Sequence, residues 1–194
     1  SHHFTGIQSA LKAGDLDRAR ALIGAWRGEP SGQRSREGVV RLTIEEALAA
    51  SYRHVFGVLF WYIVLPGPSG AILFRLSHFV SRRWDALGPF GRFARRVHAI
   101  LEWPAVRLSA IGFAVVGDFE DAIYCWRTQS AAWPDPGQGI VLAAGAGAMG
   151  VRLGLPVSSG EGMAPRPELG VGEPADVPYL DSTVGLDRKS TRLN

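Results

Sequence analysis

Apolar residues recur at helical spacing from the start of the chain. Ile7, Ala10 and Leu11 share a face, Gly14 closes that helix, and Asp15 caps a second one carrying Leu22, Ile23 and Trp26. Residues 28–38 are polar and read as a linker. Thr43-Ile-Glu-Glu46 has the form of a capping box and predicts a helix start that carries Leu48 toward Tyr52. Residues 1–53 therefore read as a small soluble helical segment.

The pattern then changes. Val55 to Phe74 is a run of twenty uncharged residues, long enough for a membrane span. Pro66-Gly-Pro-Ser-Gly70 interrupts it, and each half reaches only about 16 Å at 1.5 Å per residue, short of a hydrocarbon core of roughly 30 Å. A kinked span and a re-entrant hairpin compete. Arginines flank the run on both sides, Arg41 and Arg53 before it and Arg75, Arg82 and Arg83 after it, which favours the hairpin. Residues 76–99 mix aromatic and arginine positions, a pattern suited to a membrane surface or to a solvated cytoplasmic helix.

Pro104 fits the first turn of a helix expected to run to about Ala132. On it Arg107, Ile111, Ala114, Asp118, Asp121 and Cys125 would share one side. Gly139–Val151 is an apolar segment of small residues. From Ser158 onward glycine and proline dominate without a period, so the chain reads as a loop. The expected organisation is a soluble helical segment (1–53), a membrane-associated helical core (54–157) and a Gly/Pro-rich loop with a foreign tail (158–194). The fold class is mainly α: a fragment of a multi-pass or re-entrant helical membrane protein, in the bacterial inner membrane, with the lipid bilayer as partner.

Composition supports this picture. Only 20% of residues are charged, 46% are hydrophobic, and mean hydropathy is slightly positive at +0.06. Five of six tryptophans lie in or beside apolar stretches, as at bilayer interfaces. A net charge of +3, spread along the chain, does not argue for nucleic acid. The single cysteine, Cys125, excludes an internal disulfide and a cysteine-based zinc site. The chain opens at Ser1 without a signal-like stretch, and Asp187–Asn194 differs in style from the rest. Natural ends are expected to be missing.

Candidate chemistry is sparse. Gly145-x-Gly147-x-x-Gly150 matches the dinucleotide fingerprint, but the Pro/Gly-rich sequence after it holds no second strand, so close helix packing is the favoured reading. His54, His78 and His98 are scattered and never at i, i+4, which argues against a metal site. The polar stripe with Asp118 and Asp121 is the leading site candidate, since ionisable groups at membrane depth are functional by default. Its alternative is a pair of solvated charges just outside the bilayer.

Three stretches together resemble the CobD/CbiB family of inner-membrane proteins, including its AmpE-like branch. Arg41-Leu-Thr-Ile-Glu45, through Val58-Leu-Phe-Trp61 to Pro66–Arg75, resembles the family's R-x-x-I-E…P-L-F-W…G-x-x-G-A segment. Trp103-Pro-Ala-Val-Arg107-Leu resembles its W-x-P-V-R-L helix start, and Ala144–Gly154 its A-G-A-L-G-V-R-L-G run. The likeness covers roughly residues 8–157. It implies an adenosylcobinamide-phosphate synthase-like ligase of cobalamin biosynthesis, joining aminopropanol to a corrinoid carboxylate with ATP and Mg²⁺. The AmpE-like branch implies instead a non-enzymatic signalling protein.

The chain departs from the synthase pattern twice. Ala49-Ala-Ser-Tyr-Arg53-His-Val stands where the family has E-N-x-x-D, and Trp133-Pro-Asp-Pro-Gly-Gln-Gly139 where it has H-x-S-P-N-x-G. Glu45, Arg107 and Arg152 are the surviving positions. They join Asp118 and Asp121 as candidate substrate-binding residues, with Arg107 in a helix's first turn as anion ligand and Glu45 as its acidic partner or Mg²⁺ ligand.

Overall fold

The computed structural model describes residues 2–27, 35–65, 68–84, 88–154, 157–159, 162–164, 166–178 and 180. The expected foreign tail, and most of the 28–38 linker, lie outside them. The protein is mainly helical. Helices α1 (His2–Lys12) and α2 (Leu16–Arg27) form the expected pair: Gly14 takes φ +78° at the turn and Asp15 accepts from the Arg18 N–H at 3.0 Å.

Helix α3 (Arg36–Ser51) begins a full two turns before the expected capping box. Ser35 is the cap, accepting from the Gly38 N–H at 3.1 Å. Thr43 sits inside the helix, its hydroxyl bonded back to the Val39 carbonyl at 2.7 Å, so Thr43–Glu46 caps nothing. A single π-helical turn (Tyr52–Phe56) joins α3 to α4 (Gly57–Val64), and the helical run passes unbroken through Arg53. Such a turn inserts one residue and rotates the helix downstream of it; Tyr52 and Phe56, at its two ends, are both buried in the core.

Helices α4 and α5 (Ser69–Arg83) pack against each other as a hairpin. Gly70 permits the contact, because a Cβ there would meet the Trp61 carbonyl oxygen at 1.9 Å. Pro66 and Gly67 lie outside the described residues.

Helix α6 (Pro89–Val116) corrects the reading of Pro104. The proline is in the helix interior, and α6 continues through it while packed on α8 and α4. The 76–99 stretch is accordingly split between α5 and α6. The helix ends at Gly117, whose missing side chain lets the Ala148 carbonyl approach, and the Asp118 N–H donates to that carbonyl at 3.0 Å. Asp118 then caps a separate helix, α7 (Phe119–Gln129). The single polar stripe expected along 104–132 therefore does not exist.

A short 3₁₀ turn (Ser130–Ala132) leads to α8 (Pro136–Met149), which is buried on nearly every side. Gly145 packs on Leu48 and Gly147 on the Asp121 carbonyl, and Gly150 ends the helix at φ +63°. The G-x-G-x-x-G spacing thus precedes a strand instead of following one, and serves close packing.

The remainder is not a plain loop. Strand β1 (Val151–Gly154) pairs antiparallel with β4 (Glu168–Leu169) and parallel with β5 (Glu173–Pro174), while β2 (Val157–Ser159) and β3 (Gly162–Ala164) form a hairpin.

Candidate functional site

Sequence reasoning singled out five residues, and of these the structure brings only Asp118 and Asp121 into contact with each other. Glu45 is 1% exposed between α3 and β1, accepting from the Gly154 N–H at 3.0 Å and paired with Arg166. Arg107 lies in the interior of α6, not in a first turn. Its guanidinium is 4.0 Å from the centre of the Trp103 ring and donates to the Trp103 carbonyl at 3.1 Å. Arg152 reaches the Gly172 carbonyl at 2.8 Å and Glu168 at 3.5 Å. Asp118 caps α7 by accepting from the Asp121 N–H at 3.0 Å, and the Asp121 backbone supports α8. Glu45 and Arg107 are not partners.

A different set of side chains surrounds a cleft of about 640 Å³. Ala49, Tyr52 and Arg53 come from the end of α3 and the π turn. His78, Ser81 and Arg82 come from α5; Arg95, His98 and Glu102 from α6; Pro134 and Asp135 from the turn before α8; and Gln138 from its first turn. Both segments in which the sequence departs from the synthase pattern, 49–55 and 133–139, therefore meet across this one cavity.

The cleft carries both charges on different walls. Glu102 is the sole acid of α6, and its carboxylate lies over Gly137, where any Cβ would come within 3.1 Å of its oxygens. Asp135 spends one oxygen on the Gly137 and Gln138 N–H groups, at 3.0 and 3.3 Å. The Tyr52 hydroxyl is buried beside Glu102 without a well-formed hydrogen bond. A buried hydroxyl left in that state marks a place for a further polar partner. On the basic side Arg53 is held by Glu46, which also lies 3.8 Å from Arg27, whereas Arg82 makes no ion pair with a described residue.

Two histidines join these walls. The Ser77 hydroxyl lies 2.8 Å from the Phe74 carbonyl and 3.0 Å from His98 Nδ1. His98 Nε2 in turn lies 3.2 Å from His78 Nδ1, and His78 lines the cleft wall. Burial, then His98 and the nearby arginines Arg82 and Arg53, push the His78 pKa down to about 4. It is a neutral group at physiological pH. His78 and His98, twenty residues apart in the sequence, meet because α5 packs on α6.

Among the described residues no group of three or more His, Cys, Asp or Glu is placed to hold a metal ion. The glycines of α8 are packed against side chains and backbone instead of open to a phosphate.

Sequence signals for the cleft were present but faint. Glu102 stands immediately before the Trp103-Pro104 motif as a lone acid in an apolar helix, and the two departures from the family pattern fall on its lining.

Known proteins place the chain. A family model described as CobD/Cbib protein matches residues 1–186. The Cobalamin biosynthesis protein CobD of Stutzerimonas stutzeri is 35% identical over 189 residues, covering 95% of this chain and 62% of that protein. The protein of the same name from Chromobacterium violaceum is 36% identical over 176 residues, covering 89% of this chain and 56% of the relative. That of Mycobacterium tuberculosis is 27% identical over 191 residues, 94% of this chain and 61% of the relative. The chain thus spans about three fifths of the length of the curated relatives it matches, and no solved structure matches it significantly. The chain belongs to the CobD/CbiB family.

Proposed function

We propose that the protein acts in cobalamin biosynthesis, as the names of its relatives say of them, and that the cleft binds the amine-bearing substrate of that step. The observation that carries the site is the buried Tyr52 hydroxyl, without a well-formed hydrogen bond, beside the Glu102 carboxylate and across from Arg82. A ligand with an ammonium group at one end and an anionic group at the other satisfies all three. The aminopropanol phosphate implied by the family resemblance has that form. Glu102 would take the N–H donors, and the Arg82 fork the anion. No observation favours the AmpE-like signalling reading.

The protein is read as bound to the bacterial inner membrane. Arg36–Val64 and Pro89–Val116 are long and apolar enough to cross a bilayer, and only 28% and 33% of their most apolar windows are buried. The core helix of a soluble protein would be mostly covered. Moreover, every exposed large hydrophobic residue among those described falls between Tyr62 and Tyr124, on α4 to α7.

The test is complementation of a CobD-deficient bacterium by the full natural protein carrying Glu102→Gln. Loss of the ammonium-binding charge is expected to lower corrinoid amidation by roughly 10- to 100-fold, the cost of one buried charged hydrogen bond. Undiminished amidation removes Glu102, and the cleft with it, from the substrate site.

A further inference from the structure

We propose that the end of the α5–α6 hairpin is a binding surface for anionic phospholipid headgroups. This rests on the membrane-bound reading above and adds the chemistry of the lipid. Between Ser69 and Leu101 the chain holds six arginines and a single acid, Asp85. Arg82 and Arg95 face the cleft. Arg83, Arg92 and Arg96 do not: all three are exposed, and none makes an ion pair with a described residue.

Aromatic side chains stand among them. Phe79, Phe90 and Phe93 are 63%, 71% and 69% exposed, and Trp84 is 43% exposed. On α6, Phe90 and Phe93 lie within about 60° of each other around the helix, and Arg92 and Arg96 within about 40°, on the neighbouring flank. Large uncovered aromatics beside uncompensated guanidinium groups suit one environment, the boundary where acyl chains meet charged headgroups. An acidic protein partner would match the arginines and leave the phenylalanines uncompensated. A zwitterionic lipid surface would match the aromatics and offer Arg83, Arg92 and Arg96 no net counter-charge.

The experiment titrates the detergent-solubilised full protein with phosphatidylglycerol or phosphatidylcholine and counts retained lipids by native mass spectrometry. Preferential retention of phosphatidylglycerol is expected, and Arg83→Gln/Arg92→Gln/Arg96→Gln weakens it by roughly 100-fold without changing phosphatidylcholine retention. Should the triple variant fail to fold, the three single variants each lose about fivefold. Equal retention of both lipids, a preference that survives all the substitutions, or displacement of the lipid by inorganic phosphate overturns the proposal. The membrane reading fails separately, if the unmutated protein is recovered monodisperse without detergent.

Discussion

Glu45 reads the backbone of Gly154 from 109 residues away: one carboxylate oxygen accepts the Gly154 N–H at 3.0 Å and the other holds Arg166. Arg41, one turn earlier on α3, completes the grip by donating to the Gly154 carbonyl at 3.2 Å, while its other nitrogen pairs with Glu37 at 2.6 Å. Two family-like motifs, Arg41…Glu45 and Val151–Gly154, thereby meet as a clasp between helix and sheet. Gly154 itself takes φ +74°, and a Cβ there would lie 1.9 Å from the Pro167 carbonyl oxygen. Glu45→Ala leaves a largely buried arginine uncompensated and is expected to destabilise by about 3–5 kcal/mol. Gly154→Ala is expected to cost at least about 1 kcal/mol through strain. Chemical denaturation in detergent checks both. A stable Glu45→Ala protein that has lost activity would instead make Glu45 a ligand residue.

Tyr52→Phe separates folding from function. Removing a buried hydroxyl that has no well-formed partner leaves stability unchanged or raises it by up to about 1 kcal/mol. Substrate affinity, by contrast, falls roughly tenfold if that hydroxyl meets the ligand. A melting curve and a substrate titration on the same preparation give the two readings. A destabilised variant with normal affinity would show that the hydroxyl bonds Glu102 for structural reasons.

Arg107→Lys is expected to be tolerated, with complementation near that of the unmutated protein. Arg107 touches its own helix and the Trp103 face, and a lysine ammonium retains the cation–π contact. Arg107→Ala loses that contact, at about 0.5–1 kcal/mol for an exposed pair. Loss of activity with lysine would restore Arg107 to the site as a bidentate anion ligand.

His78 makes stability depend on pH in a defined window. Its pKa falls from 6.5 in the unfolded chain to about 4 in the folded one. Between these values the unfolded state binds more protons, so stability rises with pH there. The contribution is fully present above pH 6.5 and is lost as pH falls toward 4. Melting temperatures across that window should show the slope, and His78→Asn should reduce it. An unchanged slope in the variant would assign the dependence to carboxylates.

Local signals determined the first helical pair, because Gly14 and Asp15 act within one turn of their own positions. The packing role of Gly145 and Gly147 followed equally from residue size, whereas the hairpin reading rested on the arginines that flank the apolar run. The family was legible in short motifs. The residues of those motifs were not legible as to role, since a charge in a motif reads alike whether it binds substrate or a strand. Only the tertiary structure showed Glu45 spent on Gly154, Pro104 carried inside α6, and α6 broken at Gly117 by the approach of Ala148. The cleft belongs wholly to that level. His78 and His98 are twenty residues apart, and Tyr52 and Glu102 fifty, and each pair meets only because packed helices bring distant turns together, a contact that no period along the chain encodes.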